Sequence, residues 1–170
     1  MREPSPYPLV IAGVTGSGKS TIAGAWSREY GSPLIEGDLF HSSGSIAKLR
    51  AGVALEDADR MDWLERLAIE VGKTRAPPFP VLACSALRRR YRERLRDAIP
   101  GLHLVLLEIP IAVARERVSA RTDHFMPLTL VDSQFATLER PVDEPCTLAL
   151  DGRRPAAALL DEIGLWLRHA

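Results

Sequence analysis

The chain has 170 residues, enough for one domain with a sizeable core. Its 22 basic and 22 acidic residues cancel, so no net field draws it to nucleic acid or to a membrane surface. An apolar fraction of 46% beside 26% charged residues excludes a disordered chain, and no apolar run reaches the length of a membrane span.

Strand and helix patterns alternate from the start. Met1 to Pro6 is polar and proline-rich, without the apolar centre of a secretory signal. Pro8 to Ala12 predicts a strand, and Lys19 to about Tyr30 predicts a helix that Gly31 ends. Pro33 to Glu36 is a short second strand, leaving through Gly37-Asp38-Leu39-Phe40-His41. Ile46 to Ala51 reads as a short helix stopped by Gly52. Asp57 to Gly72 reads as a longer one, with Trp63, Leu64, Leu67, Ala68 and Val71 at helical spacing. Phe79 to Ala83 is a third strand, apolar throughout and so buried on both faces. Leu87 to Ile99 is a strongly basic helix, Leu102 to Leu107 a fourth strand, and Ile111 to about Ala120 a helix. Thr122 to Leu128 is irregular, Thr129 to Leu138 helical, Thr147 to Leu150 a fifth strand, and Pro155 to Arg168 a terminal helix. These alternations predict a single α/β domain over 1–170: a three-layer α/β/α sandwich on a five-stranded parallel sheet with right-handed crossovers.

Between the first strand and helix stands Gly13-Val14-Thr15-Gly16-Ser17-Gly18-Lys19-Ser20, which matches the phosphate-binding P-loop G-x-x-x-x-G-K-[ST] in its required setting. Glycines let the backbone turn successive N–H groups inward, and the following helix points its positive end at the same spot. The expected ATP-binding set is Gly13, Val14, Thr15, Gly16, Ser17, Gly18, Lys19, Ser20 and Thr21. Only three of the 22 basic residues are lysine. A lysine at the motif position in so arginine-rich a chain marks a place where a compact charge is required. Ser20 is the expected Mg²⁺ ligand.

In open α/β sheets ligands bind beyond the carboxyl ends of the strands. Past the second strand lie Glu36 and Asp38. If the strand runs on through them, both project to one side: one to the metal shell, the other to the hydroxyl of a phosphoryl acceptor. His41 and Lys48 follow. Asp57 and Asp59 suit a helix start by dipole alone, whereas Arg60 does not and is expected to grip an anionic substrate. Past the third strand, Arg88 suits a substrate carboxylate; the rest of Arg88 to Arg96 reads as a solvated face, with Tyr91, Leu95 and Ile99 inward. Arg117 and Arg121 lead into Asp123-His124-Phe125-Met126-Pro127, which has the look of a lid over ATP, at about 117–128. Arg115 reads as an ordinary surface arginine. Gln134 follows as a candidate for substrate hydroxyls. Cys84 and Cys146 lack metal-ligand spacing and are expected as buried free thiols of a reducing, cytoplasmic compartment.

These blocks resemble the gluconokinases of the P-loop nucleoside-monophosphate-kinase-like group. The matching segments are the P-loop, Glu36-Gly37-Asp38-x-x-His41, Ile46-x-Lys48, and Asp57-x-Asp59-Arg60 with Trp63-Leu64. Cys84-Ser85-Ala86-Leu87-Arg88-Arg89-x-Tyr91-Arg92, His124-Phe125-Met126-Pro127 and Ser133-Gln134-Phe135-x-x-Leu138-Glu139-x-Pro141 complete the set. The sequence departs from the usual family pattern at Ser42, Ser45, Leu49, Met61-Asp62 and Arg88, around the expected acceptor pocket. The resemblance implies transfer of the ATP γ-phosphoryl to the terminal hydroxyl of D-gluconate, with Mg²⁺ at Ser20 and Glu36. In it Lys19, Asp38 and Arg121 are catalytic, and Arg117 and Arg121 bind ATP. Asp38, His41, Lys48, Arg60, Arg88, His124 and Gln134 bind the acceptor. A homodimer is the assembly it implies. Two alternatives stand beside it: a related kinase acting on shikimate, a nucleotide or another sugar acid, and a nucleotide-dependent module that binds RNA through Arg88 to Arg96.

Overall fold

The computed structural model describes residues 3–121 and 127–170. Strands β1 (Leu9–Gly13), β2 (Leu34–Glu36), β3 (Val81–Cys84), β4 (His103–Glu108) and β5 (Thr147–Asp151) form one parallel sheet in the order β2-β3-β1-β4-β5. Helices α1 (Lys19–Tyr30) and α7 (Ala156–Arg168) cover one face; α3 (Asp57–Val71) and α4 (Arg89–Ala98) cover the other. The alternation of β1 decides which residue serves which layer: Leu9 and Ile11 pack toward Trp26, Leu159 and Ile163, while Val10 and Ala12 pack toward Trp63, Leu64 and Leu95. β1 is buried from end to end, as a central parallel strand must be.

Helices α5 (Ile111–Ser119) and α6 (Leu128–Thr137) pack together over the carboxyl end of the sheet. Ala114, Val118 and Val131 close a small core there around Val14 and Leu87, which moors the P-loop from outside. Helix α2 (Ser43–Arg50) starts three residues before the expected Ile46, because Ser42 caps it by accepting from the Ser45 N–H at 3.0 Å.

Two expectations, on Cys146 and Arg92, are corrected. β2 ends at Glu36, as the sequence predicts, and Gly37–Phe40 form a 3-10 turn, so Glu36 and Asp38 do not share one continued strand. A Cβ on Gly37 would lie 2.6 Å from the Ala83 carbonyl oxygen, so only glycine lets the turn lie against β3. Cys84 is buried, but Cys146 is exposed in a left-handed turn (φ 48°) before β5. Arg92 is fully buried rather than solvated. Among the described residues no helix is long and apolar enough to cross a membrane.

Candidate active site

The nucleotide side grows out of β1, the central strand. At Gly13 a Cβ would meet Ser17 Oγ at 2.6 Å and the Leu107 carbonyl at 2.7 Å, so any side chain would prise the loop from the sheet. Gly16 and Gly18 take left-handed φ values of 79° and 98°, and Ser17 N–H closes the turn on the Val14 carbonyl at 3.1 Å. Gly18 heads α1 without a side-chain cap, which leaves the positive end of that helix to an anionic ligand. Lys19 Nζ donates to the Val14 carbonyl at 3.0 Å. Burial pulls its pKa below the ordinary lysine value, with Asp38 acting in the opposite sense. Ser20 Oγ donates to Glu36 Oε2 at 2.9 Å, linking the loop to the end of β2.

The facing wall is the 3-10 turn after β2. Trp63 Nε1–H donates to the Gly37 carbonyl at 2.7 Å. The His41 ring stacks on Trp63, centroids 4.6 Å apart and planes 15° from parallel. His41 Nε2 lies 3.9 Å from Asp38 Oδ1, and His41 Nδ1 is buried with no hydrogen-bond partner among the described residues. Burial lowers the His41 pKa; Asp38 raises it and Arg60 lowers it again. Arg60 is 7% exposed, with its guanidinium 5.8 Å from the Tyr91 ring centroid. Burial lowers its pKa too, and it has no ion-pair partner among the described residues. A cleft of about 450 Å³ separates the two walls, within the range of small-molecule sites.

No family model matches the chain. It is 37% identical over 168 residues to a gluconokinase of Gluconobacter oxydans, covering 96% of this chain and 91% of that one. The chain belongs to the gluconokinase family. A crystal structure of a gluconokinase from Sinorhizobium meliloti superposes with a TM-score of 0.87 at 39% identity, covering 98% of this chain and 94% of that one. The shikimate kinase of Aquifex aeolicus shares the fold alone, at 16% identity and a TM-score of 0.55 over 95% of this chain and 96% of that one.

In this gluconokinase-family chain the cleft gathers Thr15, Gly16, Gly18, Lys19, Ser20 and Thr21 on one side, and Glu36, Asp38, His41 and Arg60 on the other; Arg121 and Gln134 also line it. Gly13 and Ser17 lie buried beneath the loop, and Val14 points into the α5–α6 core. Three further expected residues do not line the cleft. Lys48 Nζ is spent on Asp59 Oδ2 at 2.7 Å, joining α2 to α3. Arg88 lies 3.6 Å from Asp57 Oδ1. Arg117 lies on α5, in the helix expected there, and donates to the carbonyls of Gly16 at 3.1 Å and Gly152 at 3.4 Å, bracing the P-loop from behind. Gln134 lines the cleft, yet its Oε1 accepts the Thr15 N–H at 2.7 Å, so only its amide –NH₂ remains to donate. Of the expected lid, 117–119 are helical in α5 and Leu128 opens α6; His124 lies outside the described residues.

A buried ionic cluster escaped the sequence reading. Arg92 donates to Glu144 through Nε at 2.8 Å and Nη2 at 2.5 Å, and to the carbonyls of Ala86, Leu87 and Glu139. Arg96 adds a bond to Glu144 at 2.8 Å. Glu139 in turn accepts the Arg89 N–H at 2.7 Å, giving α4 the cap that its own sequence lacks. The cluster fixes the β3–α4 loop, whose Ser85 lines the cleft. A signal was present: Arg92 falls on the helical stripe of Leu95 and Ile99.

Proposed function

We propose that this protein transfers the γ-phosphoryl of ATP to the terminal hydroxyl of D-gluconate, giving 6-phospho-D-gluconate. The observation that carries the choice of acceptor is Arg60. A nearly buried guanidinium with no carboxylate partner among the described residues, on the wall opposite the P-loop, fits an acceptor that brings its own negative charge.

The division of labour follows the two walls. The P-loop amides, the α1 N-terminus and Lys19 hold the phosphates; Arg121 adds positive charge at the rim. The Ser20 hydroxyl and Glu36 carboxylate form an oxygen pair at the mouth of the loop, the donor type a hard cation takes. Ser20 would hold Mg²⁺ directly and Glu36 through water. An ion held by these residues would supply positive charge against that of the phosphates. Asp38 orients the acceptor hydroxyl and takes its proton. His41 Nδ1, buried without a partner among the described residues, is available to a second hydroxyl. Gln134 donates its –NH₂ toward the cleft while its oxygen holds the P-loop.

The RNA-binding alternative loses its main support. Each arginine from Arg88 to Arg96 has a carboxylate partner: Asp57 for Arg88 and Arg90, Glu93 for Arg89, Glu144 for Arg92 and Arg96, and Glu65 for Arg94.

The test is an acceptor panel in a coupled ADP-release assay with D-gluconate, shikimate, nucleoside monophosphates and the neutral polyol D-glucitol. Gluconate is the expected substrate. Arg60→Met should raise the gluconate KM by roughly 10- to 100-fold, the value of about 1.5–3 kcal/mol for a charged hydrogen bond. Turnover of another acceptor without turnover of gluconate would refute the proposal.

A further inference from the structure

We propose that Trp63, which lies beneath the cleft rather than in it, is a positioning residue for the acceptor side of the reaction. It rests on the reading above that Asp38 and His41 face the acceptor.

Asp38 is short, and the turn that carries it is only four residues long. Such a turn has no ladder of its own to fix its pitch against β2. Three contacts do so instead. From β3, the Ala83 carbonyl and Cys84 side chain press on Gly37 so closely that no Cβ fits. From α3, the Trp63 indole N–H pulls on the Gly37 carbonyl at 2.7 Å. From above, the His41 ring lies flat on the same indole, so the turn is gripped at its first residue and just past its last. Trp63 is 1% exposed and packs among Leu64, Leu67, Leu82 and Leu95, so its ring has no freedom to follow a wandering turn. One rigid side chain therefore sets both the Asp38 backbone and the plane of His41.

The indole N–H is the separable part of this device. Phenylalanine keeps a flat ring under His41 and most of the buried volume but cannot donate to Gly37. A purely structural role predicts lower stability with intact kinetics. A positioning role predicts loss at the chemical step, because small misplacements of a reacting group are costly in rate.

The experiment is Trp63→Phe, measured against the wild type in the ADP-release assay. The expected result is a kcat at least roughly tenfold lower, with the ATP KM within about twofold, since the P-loop wall is untouched. The acceptor-independent hydrolysis of ATP should be unchanged, for the same reason. A kcat within about twofold of wild type in a folded variant overturns the proposal.

If Trp63→Phe does not fold, the wild-type protein decides. Its three indole N–H resonances are assigned by elimination with Trp26→Phe and Trp166→Phe. The Trp63 resonance must shift when gluconate is added to the protein already saturated with a non-hydrolysable ATP analogue. A resonance unmoved at saturating gluconate overturns the proposal. Should the panel reveal a different acceptor, the same comparisons are run with that compound, so that an error in acceptor identity and an error about Trp63 give different results.

Discussion

Replacing Glu144 by Gln removes one charge from the buried cluster and leaves its shape. Glu144 and Arg92 side chains are 1% and 0% exposed, so water does not compensate the loss. Breaking one side of a buried pair costs about 3–5 kcal/mol. Arg92 keeps its three backbone carbonyls, and a glutamine oxygen still accepts one N–H, which puts the cost near the lower bound, about 3 kcal/mol. For a chain of this size each kcal/mol moves Tm by about 2–4 °C, so the melt should fall by about 6–12 °C at neutral pH. The pH dependence carries a sign. Burial pushes the Glu144 carboxyl up, but the hydrogen bonds from Arg92 and Arg96 outweigh it and leave its pKa below the ordinary 4.5. A depressed carboxylate stabilises fully above its unfolded value and loses that contribution as pH falls through its folded value. The gap between wild type and variant should therefore narrow as acid is added below about pH 4.5. Thermal unfolding by circular dichroism across pH reads both effects. A drop of less than about 2 °C at pH 7, or a gap that stays constant into acid, would refute the reasoning.

Lys19→Ala should abolish phosphoryl transfer while the melt stays near that of wild type, because among the described residues Lys19 Nζ bonds only the Val14 carbonyl; near-normal turnover with gluconate would remove the phosphate site from the account. Asp38→Asn should cut kcat by roughly 10²–10⁴-fold, the usual worth of a general acid or base. The ATP KM should stay close to its wild-type value. An effect confined to ATP binding would place Asp38 on the wrong side of the reaction.

The fold was legible because each of its signals is local. Apolar runs bounded by Gly and Pro marked the strands, helical spacing marked α3, and the P-loop motif fixed the register of β1 to α1. Glu36, Asp38, His41 and Arg60, which line one cleft, stood out in the sequence because they follow a strand end or break the helix-dipole rule, and these are properties of the chain order. What could not be read involves partners distant in sequence. Lys48 is 11 residues from Asp59, Arg88 is 31 from Asp57, and Arg92 is 52 from Glu144; no spacing rule connects them. A charged side chain reads as free until the fold supplies its counterion. Gln134 shows the same limit, since its bond to Thr15 crosses 119 residues. The exit at Gly37 was legible, but its 3-10 form was not: the backbone of β3 presses on the turn, and no residue of the turn announces that.

The two walls hang from unequal supports. The nucleotide wall springs from β1, which is bonded to strands on both flanks, whereas the opposite wall springs from β2, three residues long at the border of the sheet with a single neighbour. Altering the first disturbs the whole β-scaffold; altering the second, away from Gly37 and Trp63, disturbs little beyond one short ladder. A protein so built can exchange what it phosphorylates at low structural risk while the phosphate donor stays the same.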